Sequence, residues 1–212
     1  MAATTPVPAS EPGLAGIVEK AQRSFDEMKA MTASFSQTVE SKGFGEVERL
    51  SGRMAMMKPA MMRWDYDNPP GRKLVVDGKR LWFYDPEENV VYFDDLTGFL
   101  NPKSPALFLA GEGALEELFV VEPVKKKNDT ADLIRLKLTP KKPQPGLKAM
   151  LLSLEKEDYT IVELLMVDHL GNRNRIQFSE IDKSPKLDRS FFRFEPPTGA
   201  PVRAMPKAPP GR

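Results

Sequence analysis

Cysteine is absent from this 212-residue chain, and histidine occurs once, at His169. Without thiols there is no disulfide framework, no thiolate metal site and no cysteine nucleophile. A single imidazole cannot build a multi-histidine zinc site, and it leaves Ser-His chemistry one ring to work with. Charge of one sign is also missing. The 31 Lys and Arg against 30 Asp and Glu leave a net charge of +1, too weak a field to hold a polyanion, so nucleic acid is not expected as a partner. No apolar run approaches the roughly 20 residues of a membrane-spanning helix. The first residues lack the basic start and apolar stretch of a secretory signal, although a cleaved signal replaced by a start methionine would leave the same appearance.

What is present is apolar and soft. Hydrophobic residues make up 41% of the chain, and 11 of them are methionine, a flexible and polarisable side chain over-used on surfaces that accept varied apolar partners. A chain of this length buries about 70% of its unfolded surface, enough for one substantial core. Pro- and Ala-rich ends set the expected organisation: a disordered segment over 1–12, one folded domain over 13–200 and a Pro-rich tail over 201–212.

Between Gly13 and Met31 the apolar positions Leu14, Ile17, Val18, Ala21, Phe25, Met28 and Met31 step by three and four, which predicts one amphipathic helix. Beyond it the period falls to two. Alternating runs at Ala33–Phe35, Leu50–Met56, Met62–Tyr66, Leu74–Val76, Leu81–Phe83, Ile134–Leu138, Met150–Leu154, Ile176–Phe178 and Phe192–Phe194 predict short strands. Turn chemistry separates many of them, as in Asp67-Asn-Pro-Pro-Gly71, Asp77-Gly78 and Gly171-Asn172. This pattern predicts an antiparallel meander, open or closed into a barrel, interrupted by a helical insert between Ser104 and Phe119. Strands such as Leu81-Trp-Phe-Tyr84, Val90-Val-Tyr-Phe93 and Ile161–Val167 are apolar on both faces and must be covered twice. The densest feature is Gly52–Trp64, which holds five methionines. If Met54 and Met56 face inward, Lys58 follows in phase, and a cation at the end of an apolar row needs a carbonyl or carboxylate partner.

Four stretches together carry a resemblance: Met31-Thr-Ala-Ser-Phe-Ser-Gln37; Gly52 through Lys58-Pro59 to Trp64; Val76-Asp-Gly-Lys-Arg-Leu-Trp-Phe-Tyr-Asp-Pro86; and Phe192-Arg-Phe-Glu-Pro-Pro-Thr-Gly199. In this order and spacing they resemble the outer-membrane lipoprotein carrier family, LolA, over nearly the whole body. The resemblance implies a mainly β fold with some α: an incomplete antiparallel barrel of about 11 strands, with an N-terminal amphipathic helix and a short helical lid. It implies a monomeric periplasmic chaperone without cofactor or enzymatic activity. Such a chaperone accepts acylated lipoproteins from an inner-membrane ABC exporter and passes them to an outer-membrane acceptor.

In that fold the implied acyl cavity takes Phe35, Met54, Met56, Met62, Trp64, Leu81, Phe83, Ile176 and Phe178, and the lid takes Leu107, Phe108 and Leu109. Lys58 stands where the family places an arginine that latches the lid through backbone carbonyls. An ammonium lacks the guanidinium fork, so the latch is expected to be looser or differently partnered.

Enzyme motifs fail on context. Ser153-Leu-Glu-Lys156 has Ser-x-x-Lys spacing but sits in an alternating strand rather than opening a helix. Gly111-Glu-Gly113 lacks the third glycine of a dinucleotide loop. The rival reading is a carrier or sensor of other envelope lipids on the same fold.

Overall fold

The computed structural model describes residues 13–96, 114–125, 132–144 and 146–205. The expected lid residues Leu107, Phe108 and Leu109 lie outside the described residues. The predicted amphipathic helix is α1 (Leu14–Glu27), which buries Val18, Ala21 and Phe25 along one face. From its end the chain enters a meander: β1 (Ala30–Ser41), β2 (Glu46–Met57), β3 (Met61–Asn68), β4 (Lys73–Asp77), β5 (Arg80–Asp85) and β6 (Val90–Asp95). A single helical turn, α2 (Leu115–Leu118), precedes β7 (Phe119–Pro123), β8 (Leu133–Pro140), β9 (Ala149–Glu155), β10 (Ile161–Val167) and β11 (Arg173–Asp182). A last short strand, β12 (Val202–Ala204), falls in the stretch assigned to the tail, so the sheet continues past residue 200.

The twelve strands form one sheet in the order β12-β6-β5-β4-β3-β2-β1-β11-β10-β9-β8-β7. Every neighbour pair among β1 to β11 is antiparallel, and only β12 runs parallel, on β6. Edges β7 and β12 do not pair with each other, so the barrel is open, as expected. The sheet is nevertheless strongly curled. Residues of β3 and β10 line one void although they are four strand spacings apart, about 19 Å on a flat sheet. Curling turns one face into a trough, and α1 lies in it, with α2 beside it. The Leu115 amide donates to Gln22 Oε1 at 2.8 Å, so a side chain of α1 satisfies an N-terminal donor of α2.

Two local devices set the register. At Asp77-Gly78 the carboxylate accepts from the amides of Lys79 and Arg80, both at 2.8 Å, while Gly78 takes φ +89°, closing the β4–β5 hairpin. At Gly52 the β2–β3 register shifts, and a Cβ there would stand 2.1 Å from the Asp65 carbonyl oxygen. Only glycine admits that approach.

Over part of its area the sheet is covered on both faces. Inward, Met54, Met56, Leu136, Leu152 and Leu164 pack on Val18, Ala21 and Phe25 of α1. Outward, the segment after β11 crosses the convex face. Asp188 caps a 3-10 turn (Arg189–Phe192) by accepting from the Ser190 amide at 2.8 Å, and Phe192 is buried against Ala55 and Met61. Trp82 lies between Phe93 and Phe194, with ring centroids 5.8 and 5.7 Å away.

Two expectations are corrected. The alternation Phe192–Phe194 is not a strand but a 3-10 turn and an extended strap that turn both rings onto the sheet. Phe119, expected to end the helical insert, instead opens β7, because the β-branched pair Val120-Val121 finds strand partners in Thr139 and Leu138 of β8.

Candidate apolar binding site

On the concave face, register converts sequence alternation into rows. Met31, Met56 and Met62 are directly opposed across β1, β2 and β3, and Ala33, Met54 and Trp64 form the next row. Opposed residues in antiparallel strands point to the same face, so each row is a continuous apolar rib. Phe35 meets Trp64 edge-on at 4.7 Å, and Trp64 meets Phe178 at 6.2 Å. Gly52 is opposed by Phe35 on one side and Tyr66 on the other, and with no side chain between them the two rings meet at 5.2 Å and 84°; burial there pushes the Tyr66 phenol above its ordinary range.

Between these ribs and α1 lies a cavity of about 120 Å³. Its walls are Met54, Met56, Met62 and Trp64 from β2 and β3, Ile176 and Phe178 from β11, Ile161, Leu164 and Met166 from β10, Met31 from β1, and Phe25 and Met28 at the end of α1. Six methionines therefore surround one void. Of the expected cavity residues, Met54, Met56, Met62, Trp64, Ile176 and Phe178 are brought together here. Phe35, only 3% exposed, stands behind Trp64 as support and is not in the lining. Leu81 and Phe83 share the concave phase, through Val76 and Leu74, but pack two strands away in a second cluster with Ala60, Leu96 and Met205. Met62 touches both clusters.

The contributions of β10 and of the last turn of α1 were missed at the sequence level. Their apolar phase was visible, but nothing local indicates that β10 curls round to face β3.

The polar groups stand at the rim. Lys58, at the end of the Met54–Met56 row, reaches the end of α1, where its ammonium donates to the Phe25 carbonyl and, at 3.5 Å, to that of Asp26. It also lies 4.3 Å from the Phe25 ring centroid. These carbonyls belong to the last turn of a helix with no basic residue of its own there, so a cation is well matched to them. Burial lowers the Lys58 pKa below its ordinary value, with Asp26 opposing.

Across the cavity, Ser24 Oγ donates to the Asp158 carbonyl at 2.7 Å. The Asp158 carboxylate takes the Lys183 ammonium and accepts from the Thr160 amide at 3.0 Å. Burial would raise the Asp158 pKa, but these hydrogen bonds hold it below the usual range. Tyr159 between them adopts φ +61°, a left-handed conformation that costs a non-glycine residue of order 1–3 kcal/mol.

The site offers apolar surface and little chemistry. Among the described residues, no three His, Cys, Asp or Glu side chains come together as metal ligands. Ser153 is buried in β9, and its hydroxyl faces Glu163 at 3.4 Å. His169 sits at the β10–β11 turn, 3.0 Å from the Gln144 carbonyl oxygen.

The family model described as outer membrane lipoprotein carrier protein LolA matches residues 26–195. The chain belongs to the LolA family. Its curated relatives include an outer-membrane lipoprotein carrier protein from Methylobacillus flagellatus, 31% identical over 185 residues and spanning 87% of each chain. Another, from Chromobacterium violaceum, is 32% identical over 191 residues, 90% of this chain and 89% of that one. Among solved structures, an uncharacterized conserved protein from Thermus thermophilus aligns with a TM-score of 0.54 at 14% identity, over 89% of this chain and 98% of that one. That likeness concerns the fold. The LolA assignment rests on the sequence matches, which run through the cavity strands β1 to β3 and β10 to β11.

Proposed function

We propose that this protein is a periplasmic chaperone that takes acylated lipoproteins from an inner-membrane ABC exporter, shields their acyl chains beneath α1 and releases them at the outer membrane. The observation that carries this reading is the methionine-lined void, in a chain of the LolA family. Each acyl CH₂ removed from water contributes about 0.8 kcal/mol, so an apolar trough suffices for tight capture. Methionine suits chains of varied length and unsaturation because it repacks at little cost.

The void of about 120 Å³ is small beside the roughly 300–1,000 Å³ of sites that enclose whole ligands. Loading therefore requires α1 to move, and the hydrogen bonds of Lys58 and Ser24 are what the entering chains displace. Net affinity is then a difference between acyl burial and helix docking, which lets a carrier both hold and release.

The test is mass spectrometry of what copurifies with the protein from a Gram-negative periplasm. Triacylated protein is the expected cargo, and free glycolipid or phospholipid alone would favour the rival carrier reading. In parallel, Met56→Glu places a charge in the middle methionine row and is expected to abolish binding of an acyl probe. Tight probe binding by the folded variant would overturn the site.

A further inference from the structure

At the end of the sheet away from the cavity rim, three turns are tied into one platform. They are the β1–β2 turn (42–45), the β10–β11 turn (168–172) and the described parts of the β8–β9 connection (141–144 and 146–148). The Lys42 amide donates to Asn172 Oδ1 at 3.0 Å, and His169 Nε2 lies 3.0 Å from the Gln144 carbonyl oxygen. The Asp168 carboxylate turns inward, accepting from the amides of Leu170 and Asn172 at 2.9 and 2.8 Å. The tips are thus held rather than loose.

This platform projects two bare apolar side chains. Phe44 is 84% exposed and Leu170 is 80% exposed, while the other exposed large apolar residues among those described reach at most 50%. On the same three turns Lys42, Lys142 and Lys148 are also exposed. The acidic groups nearby are Glu46 on the β1–β2 hairpin, Glu40, which is opposed by Arg173 across the strands, and Asp168, already engaged. Two isolated points give a protein partner little contiguous area to bury, whereas a bilayer interface accepts single apolar tips and rewards lysines set beside them.

We propose that this platform docks the protein on an anionic lipid bilayer, with Phe44 and Leu170 inserted at the acyl boundary and Lys42, Lys142 and Lys148 on headgroup phosphates. The β2–β3 and β9–β10 turns that flank the cavity lie at the opposite end of their strands, so docking leaves the rim open to a protein. The proposal does not depend on the nature of the cargo.

The experiment is sedimentation of the full chain with vesicles of phosphatidylglycerol and phosphatidylethanolamine, with phosphatidylcholine vesicles as the uncharged control. The protein is expected to sediment with the anionic vesicles and to be released as salt rises. Phe44→Ser with Leu170→Ser is expected to weaken binding at least ~10-fold, and Lys42→Glu with Lys148→Glu to do so only on anionic vesicles. These tips are solvent-exposed, so both variants keep the wild-type melting temperature. Met56→Glu is expected to bind vesicles as wild type does, which separates the platform from the cavity. Phe44→Trp is expected to be quenched by brominated acyl chains. A wild-type protein that stays in solution with anionic vesicles would overturn the proposal. So would Phe44→Ser/Leu170→Ser sedimenting undiminished, or binding that requires membrane protein in the vesicles.

Discussion

Lys58 is a single charge placed where a helix runs out of intrahelical partners. Its phase behind Met54 and Met56 was legible in the sequence, as was its need for carbonyls. Its partner was not, because Phe25 lies 33 residues away and no local pattern connects the two. The resemblance implied a latch on the lid, whose residues lie outside those described; among the described residues Lys58 closes on α1. Replacing Lys58 by methionine keeps the stem and removes the donors. Charged hydrogen bonds of this kind contribute about 1–2 kcal/mol at a partly exposed site. Lys58→Met is therefore expected to speed amide exchange across residues 25–29 by ~10-fold or more without unfolding β2. The pH dependence has a definite sign. Burial sets the folded-state pKa of Lys58 below its ordinary 10.5, so the unfolded chain binds more protons in the window between the two values. Stability is expected to rise as pH rises through that window, and Lys58→Met to erase this contribution, as denaturant midpoints across alkaline pH would reveal.

The strap after β11 was the element least well read from sequence. Phe192 and Phe194 alternate like strand residues, yet Asp188 caps a 3-10 turn, and Pro196 and Pro197 remove the amides that a ladder would need. What the alternation did convey is that both rings face the same side, and the doubly apolar composition of β5 and β6 shows why: their convex face needs a cover. Phe192 is 1% exposed and seals Ala55 and Met61, directly behind the methionine rows of the cavity. Truncating a buried phenylalanine to alanine costs about 3–5 kcal/mol. Phe192→Ala is expected to lower the unfolding free energy by this amount and to expose residues 187–194 to proteolysis first. A loss below about 1 kcal/mol in urea denaturation would mean that the strap is dispensable to the sheet.

For the whole molecule, the strand meander and α1 were legible because period and turn chemistry are local, and the open barrel followed from the resemblance. The curl of the sheet was not legible, and it decides the site. Leu81 and Phe83 have the right phase but the wrong place, while β10 reaches the void only because four strand spacings fold round on themselves. Among the described residues that trough is covered by α1, held on one flank by Lys58 and on the other by Ser24 at the Asp158 carbonyl. The absence of cysteine makes this directly testable, since an introduced pair can react only with itself. Ser24→Cys with Asp158→Cys, joined as a disulfide or through a short thiol-reactive bridge, is expected to pin α1 over the cavity. Acyl-probe binding should then fall at least ~10-fold and return on reduction or in the unbridged variant, because the chains must displace the helix before they can be buried. Unchanged binding by the bridged protein would show that acyl chains enter without moving α1, and the gate would have to lie elsewhere on the rim.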